Sequence, residues 1–429
     1  MQKSWREFLT KKYGSDDALR KAWGDNTATL QTTALPLDST LREKVDRLPQ
    51  WPNASDMRVE RDYALLQKEL HARWFRTLVS SVKAAVPERS VLIGIDALKQ
   101  PMLGWQIQEA FAGRSLGTRS FSMHAASGSI GIGPLMDMPE LNILSTPSDY
   151  TSRHMGSSHE VEGLGDSMVL RGKTLLNEND TRTFLSKEVG GNRHPTGVFR
   201  NLTEVNAGFL RNTSLALSRG FLPFWTDIAT AGSYYSSEEV QREVHNDKIL
   251  FERGSAWPHR ETSHAIAVII DDESPLYENF TGGFQQLAVI RQRIEGLAIS
   301  GIPYRIHLLS DLKNPNFPNF HCYYFPNLFK VDSEVLSLLR QKIFKDGNVA
   351  IFGPGTGITD GEKVSATGAE ALLGIPMHLT ELSGSRRVAL NGTNLDMLKS
   401  KHLPAFYGDS LVYGPILFPD PHRLTSANV

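Results

Sequence analysis

From residue 55 onward the chain alternates two hydrophobic periods, and no other property narrows its fold as much. Val59, Tyr63, Leu66, Leu70, Trp74, Leu78 and Val82 step by three or four, which predicts one long helix capped at Ser55 and stopped by Pro87. A short aliphatic run, residues 91–95, follows as a buried strand ending at Asp96. The pattern then repeats. Strands are expected at 141–145, 174–177 and 221–227, and helices at 202–218, where Gly220 closes the helix, and from Ser237 to about residue 251. Strands separated by helices imply parallel pairing through crossovers. Four such strands are half of an eight-stranded α/β barrel.

Near Pro258 the character changes. Strand-like runs at 265–270, 304–309, 321–325 and 349–352, with helical patterns at 283–300 and 332–344, predict a second, open, doubly wound α/β unit. The chain thus divides into residues 1–258, 259–400 and a proline-rich tail, 401–429, expected to be an extended or truncated appendage. At the other end, Trp5, Phe8 and Leu9 share a helical face, Gly14 closes that helix, and Ser15 caps a second whose first turn carries Asp16 and Asp17. The non-periodic stretch 25–55 reads as a long irregular excursion.

Bulk properties mainly exclude. A net charge of -1 gives no electrostatic reason for nucleic acid or an anionic membrane as partner. The single cysteine, Cys322, permits no internal disulfide, and its setting inside a predicted strand suits a buried thiol better than a nucleophile. No apolar run approaches the ~20 residues of a membrane span, and the first residues carry charges where a signal peptide needs an apolar core, so a cytoplasmic location is expected. The glycine-rich segments 128–133 and 352–357 match neither a dinucleotide fingerprint nor a P-loop. The histidines show no metal spacing. Neither a cofactor nor a metal is expected.

The chemistry concentrates in GKTLLNENDTRTFL, residues 172–185. Glu178 is placed at the C-terminal end of a parallel strand, where α/β folds put their active sites, with Asp180 and Arg182 close enough to tune its charge. A solvated salt-bridge cluster is the competing reading. Asp96 and Asp227 also end strands, and Tyr150 and Arg153 follow one, so all of them converge on one pocket if the strands are neighbours. Trp225 offers such a pocket a flat face for a sugar ring, or else belongs to the core. Pro223, inside the same predicted strand, removes a ladder donor and argues against that strand.

These residues resemble a family. WREFLTKKYGSDDALRKAWGD (5–25), LNENDTRTFL (176–185), FWTD (224–227), AIAVIIDDES (265–274) and GIPYRIHLLSDL (301–312) together look like β-galactosidase-type enzymes of glycoside hydrolase family 42, in the family's order, up to about Gly392. The resemblance implies the C-terminal half of a (β/α)8 barrel, strands five to eight, followed by a flavodoxin-like trimerisation domain related to class I glutamine amidotransferases. It makes Glu178 the strand-seven nucleophile of a retaining mechanism, places Trp225 and Asp227 at the end of strand eight, and implies a carbohydrate substrate.

In such enzymes the acid/base glutamate ends strand four, before the WREFL-type helix, and this chain starts at that helix. A retaining glycosidase needs both carboxyls, about 5–5.5 Å apart. The expectation is therefore a chain with little hydrolase activity alone, acting as a homo-oligomer, a trimer by resemblance, or with a partner that supplies the missing half-barrel. Asp180 and Arg182 are expected to set the charge of Glu178, and Trp225, Asp227, Tyr150, Arg153 and Asp96 to line the sugar site. The alternative is a non-catalytic carbohydrate-binding or oligomerisation protein; a flavin or nucleotide protein lacks a phosphate loop.

Overall fold

The computed structural model describes residues 1–36, 48–96, 130–149, 152–186, 197–227, 233–257, 265–279, 296–381, 384–389 and 406–423. Helices α1 (Gln2–Tyr13) and α2 (Asp16–Trp23) form as the caps predict: Gly14 is left-handed at φ 73° and the Ser15 side chain accepts from the Ala18 amide. Both lie on α3 (Arg58–Ala85). Trp5, Phe8, Leu9, Leu19 and Leu66 make the shared apolar core, and the buried Asp62 of α3 accepts from Lys12, from the Tyr13 hydroxyl and from Trp23 Nε1. An ion with three donors is the arrangement under which a carboxylate tolerates burial.

The stripe expected along α3 is only half right. Leu66 is buried, but Trp74, Leu78 and Val82 are 57%, 43% and 48% exposed, and Phe75 and Val79 face the core instead. Helical spacing identified an apolar stripe without revealing which part of it has a neighbour. Nor does Ser55 cap the helix: it lies in a 3-10 turn, Ala54–Met57, ahead of it.

The first sheet contains β1 (Gly94–Asp96), β2 (Ile143–Pro147), β3 (Thr174–Asn179) and β6 (Leu222–Trp225), all parallel, in chain order. Neighbouring strands that follow one another in sequence are the arrangement of a (β/α)8 barrel. Between them lie α4 (Gly133–Met136), α5 (Gly165–Leu170), the small parallel pair β4 (Arg182–Thr183) and β5 (Val198–Phe199), and α6 (Leu202–Arg219). Helix α7 (Glu238–Ser255) packs on α6. Pro223 is accommodated because β6 is an edge of this sheet, where a missing ladder donor is tolerated.

The second unit contains β7 (Ile266–Ile270), β8 (Tyr304–Leu308), β9 (Cys322–Phe325) and β10 (Val349–Phe352) in the spatial order β10-β9-β7-β8, again all parallel. Here the direction of winding reverses at β7, the mark of a doubly wound sheet. Helix α8 (Ser333–Lys342) joins β9 to β10, and α9 (Thr367–Leu373) follows. Most of the helix expected at 283–300 lies outside the described residues. The tail is more structured than its prolines suggested. β14 (Ile416–Pro419) pairs antiparallel with β11 (Met377–Thr380), and β13 (Phe406–Tyr413) with β12 (Gly384–Ala389), so local turn chemistry had masked long-range pairing.

One core serves both units. Leu144, Leu175, Ile95, Met168 and Phe221 pack with Val268, Ile270, Ile306 and Leu308 of the second sheet. At ~1.5–3 kcal/mol for each large side chain fully buried, this shared layer is the main adhesive between them. Arg219, at the end of α6, adds a buried polar link: it pairs with Glu160 and Asp166, while Asp166 also accepts from the Ile306 amide of β8.

The excursion before α3 has a place as well. Residues 48–57 cross the loops that follow β7, β9 and β10. Trp51 is 1% exposed and meets Phe329 edge-on at 5.7 Å, while Gln50 and Ala54 bond to the backbone of Gly414, Asn279 and Glu362.

Candidate active site

Register decides which side chains meet. Asp96, Ser145, Leu176 and Leu222 are aligned across the first sheet, and so are Pro147, Glu178 and Phe224. Aligned residues share a face, and successive residues along a strand alternate between the two faces. The face opposite the common core therefore carries Asp96 and Glu178 together, with Asp96 two strands away and one pleat lower. β3 runs to Asn179, so Glu178 stands on the strand itself rather than in the loop beyond it.

The half-buried Glu178 is held above the ordinary glutamate range, first by burial and then by the charge of Asp180; the Thr226 hydroxyl opposes this, Asp96 adds to it, and Arg153 opposes it. Burial also raises Asp96. The chain after Glu178 turns inward. Asp180 is 1% exposed and pairs with the fully buried Arg153, whose Nε and Nη2 donate to the Ser148 carbonyl at 3.1 and 2.8 Å. His159, also fully buried, meets Asn179 Oδ1 through Nε2 at 2.6 Å; burial, Arg211 and Arg153 hold it well below its ordinary value and hence neutral.

Not every expected residue joins this group. Trp225 lies on the other face, stacked on Phe209 of α6 at 4.7 Å, because strand alternation turns it away from Glu178. Phe224, which the sequence reading passed over, is the aromatic beside Glu178 and is 40% exposed. Arg182 lies over the Tyr234 ring at 5.3 Å, and Arg153 is a cation that acts on Glu178. Arg153, having no exposed surface, lines no pocket. Asp227 accepts from the Ser233 hydroxyl and from the Tyr234 amide at 3.2 Å, which ties the end of β6 to the residues ahead of α7. Tyr150 lies outside the described residues. Counting by two from Glu178, and by register into β6, would have found Phe224; nothing local pointed to Arg153 as the partner of Asp180.

No group of metal-ligating side chains occurs among the described residues, and no described helix is long and apolar enough to cross a membrane.

No protein-family model and no curated protein matches the chain. Solved structures do. A β-galactosidase from Bacillus circulans sp. alkalophilus aligns over 98% of this chain with TM-score 0.56 at 10% identity, covering 58% of its own length. A cold-adapted β-galactosidase from Rahnella sp. aligns over 97% with TM-score 0.53 at 14% identity, covering 58% of its length. A GH42 β-galactosidase from G. stearothermophilus, solved as a catalytic mutant, aligns over 91% with TM-score 0.54 at 12% identity, covering 54% of its length. The chain thus spans little more than half of each. The structural likeness agrees with the resemblance of the sequence motifs, and over that span the chain has the α/β fold of GH42 and related β-galactosidases.

Proposed function

We propose that this chain is the nucleophile-bearing part of a retaining, β-galactosidase-like glycoside hydrolase that acts on a β-glycosidic bond. The observation that carries the reading is the position of Glu178: a half-buried carboxyl at the C-terminal end of the third of four sequential parallel strands, on the face away from the core, beside the exposed Phe224 ring. Glu178 attacks the anomeric carbon, and the bond to the leaving oxygen breaks. The acid that protonates that oxygen, and later activates water, comes from outside this chain. Asp96 shares the face and contacts the sugar; Phe224 supplies the apolar platform assigned from sequence to Trp225. The second unit is read as the flavodoxin-like trimerisation domain that the resemblance implies. Its β7–β9 switch, where doubly wound sheets hold ligands, lies beneath residues 48–57, which favours a structural role over a flavin or nucleotide site.

A fluorinated galactosyl inactivator with a dinitrophenolate leaving group tests this directly, because that group departs without a proton. The expected result is an intact-mass increase of one glycosyl unit mapping to Glu178 and absent in Glu178→Gln. No adduct, with or without an added acid-bearing half, or an adduct elsewhere, overturns the assignment. Robust turnover of a chromogenic β-galactoside by the chain alone overturns the missing-acid part.

The exposed stripe Trp74, Leu78 and Val82 also favours a second reading, a non-catalytic assembly or carbohydrate-binding protein. Sedimentation with sugar titration separates the two: saturable binding without labelling of Glu178 supports this one.

A further inference from the structure

Glu178 and Asp180 are two residues apart, so on a strand that simply continued both carboxyls would leave the same face. They do not, because β3 stops at Asn179 and Asp180 is drawn inward. Two fully or nearly buried side chains hold it there. Arg153 bridges the Ser148 carbonyl at the end of β2 to the Asp180 carboxylate, and its own carbonyl accepts from Arg211 of α6 at 2.9 Å. Tyr235 is 5% exposed, and its hydroxyl lies 3.0 Å from the Asn179 carbonyl and 3.2 Å from that of Thr181, the residues flanking Asp180. Neither group can reach a bound sugar.

We propose that Arg153 and Tyr235 are positioning residues for Glu178: together they hold Asp180 back from the open face and pair its charge, so that Glu178 meets the sugar without the Asp180 carboxylate directly beside it. This rests on the reading of Glu178 as nucleophile. The largest charged influences on Glu178 among the described residues are Asp180 just past the end of its strand, Asp96 from β1 and Arg153 from the loop after β2, with the neutral Thr226 on the β6 side. Of these Arg153 is the cation, and it favours the ionised form of Glu178.

The test follows the Glu178 carboxyl carbon by NMR against pH in the full chain without sugar, assigned by its loss in Glu178→Gln. Arg153→Met is expected to raise the Glu178 midpoint by about one unit, a tenfold change in proton affinity. Arg153→Lys restores much of it. Tyr235→Phe removes a single oxygen, keeps the packing, and moves the midpoint in the same direction by letting Asp180 return to the face. A merely structural role lowers the unfolding temperature and leaves the midpoint unchanged. An unmoved midpoint in Tyr235→Phe and in Arg153→Met, or in Arg153→Lys if the Met variant does not fold, overturns the proposal. Inactivator labelling of the wild-type chain reports separately on the nucleophile: labelling with unmoved midpoints sinks the clamp, while moved midpoints without labelling sink the nucleophile reading.

Discussion

Arg219→Met removes the cation that joins the two sheets. Burial works against the charge of Arg219, but Asp166 and Glu160 outweigh it and hold the guanidinium above its ordinary value. The side chain is 6% exposed, lies 2.9 Å from Asp166 and 3.3 Å from Glu160, and sits over the Phe221 and Tyr304 rings. Methionine preserves most of the packing and removes the guanidinium shared by two buried carboxylates, leaving Asp166 with Arg305 at 3.8 Å, a change that costs about 3–5 kcal/mol. The lower end applies, because Asp166 keeps the Ile306 amide at 2.7 Å and Glu160 keeps the Tyr304 hydroxyl. Against a total stability of roughly 5–15 kcal/mol this is a large fraction. With a urea slope of about 3 kcal/mol/M, the midpoint falls by ~1 M. Arg219→Met combined with Glu160→Gln and Asp166→Asn removes all three charges and is expected to return within about 1 kcal/mol of wild type. A single-variant loss below about 1 kcal/mol, or a triple variant no more stable than the single one, refutes this assignment.

Trp51→Ala should destabilise the chain by about 3–5 kcal/mol in urea unfolding, with hydrogen-exchange protection lost first around Phe329 and Ile358. Gly355→Ala should cost about 2–3 kcal/mol, since its φ is +74° and a Cβ would stand 2.6 Å from the Trp51 ring; in a Trp51→Ala background the steric part vanishes and a double-mutant cycle shows the coupling. Burial, with neighbouring carboxylates next, lifts Asp271 to about 7 and Asp272 to about 6. Folding favours their neutral forms, so this contribution is fully present below ~4 and is lost as the pH rises to about 7, giving a stability slope that Asp271→Asn should flatten in calorimetry.

The open face of the first sheet links these features to function. Parallel sheets are ordinarily covered on both faces, and among the described residues only one is packed against a core. Leu176, Leu222 and Phe224 share the other face with Glu178. Under the proposed function, that face would carry the chemistry.

By itself the sequence determined the local elements and their alternation. The caps at Gly14, Ser15 and Gly220, the four strands of each sheet and the position of Glu178 near a strand end all follow from interactions within a few residues, which periodicity and propensity report directly. Only the tertiary structure decided what each side chain faces. Trp225 and Phe224 are adjacent in sequence, yet strand alternation and the register with β3 send one to α6 and the other to the open face. Asp180 pairs with Arg153, which comes from a different loop and is buried against Ser148, a partner that no local spacing names. The stripe on α3 was legible, but its exposed half was not, because burial depends on a neighbour that periodicity does not name. Pairings such as β11 with β14, or residues 48–57 with the loops after β9 and β10, join segments far apart in the chain, and no local signal encodes them.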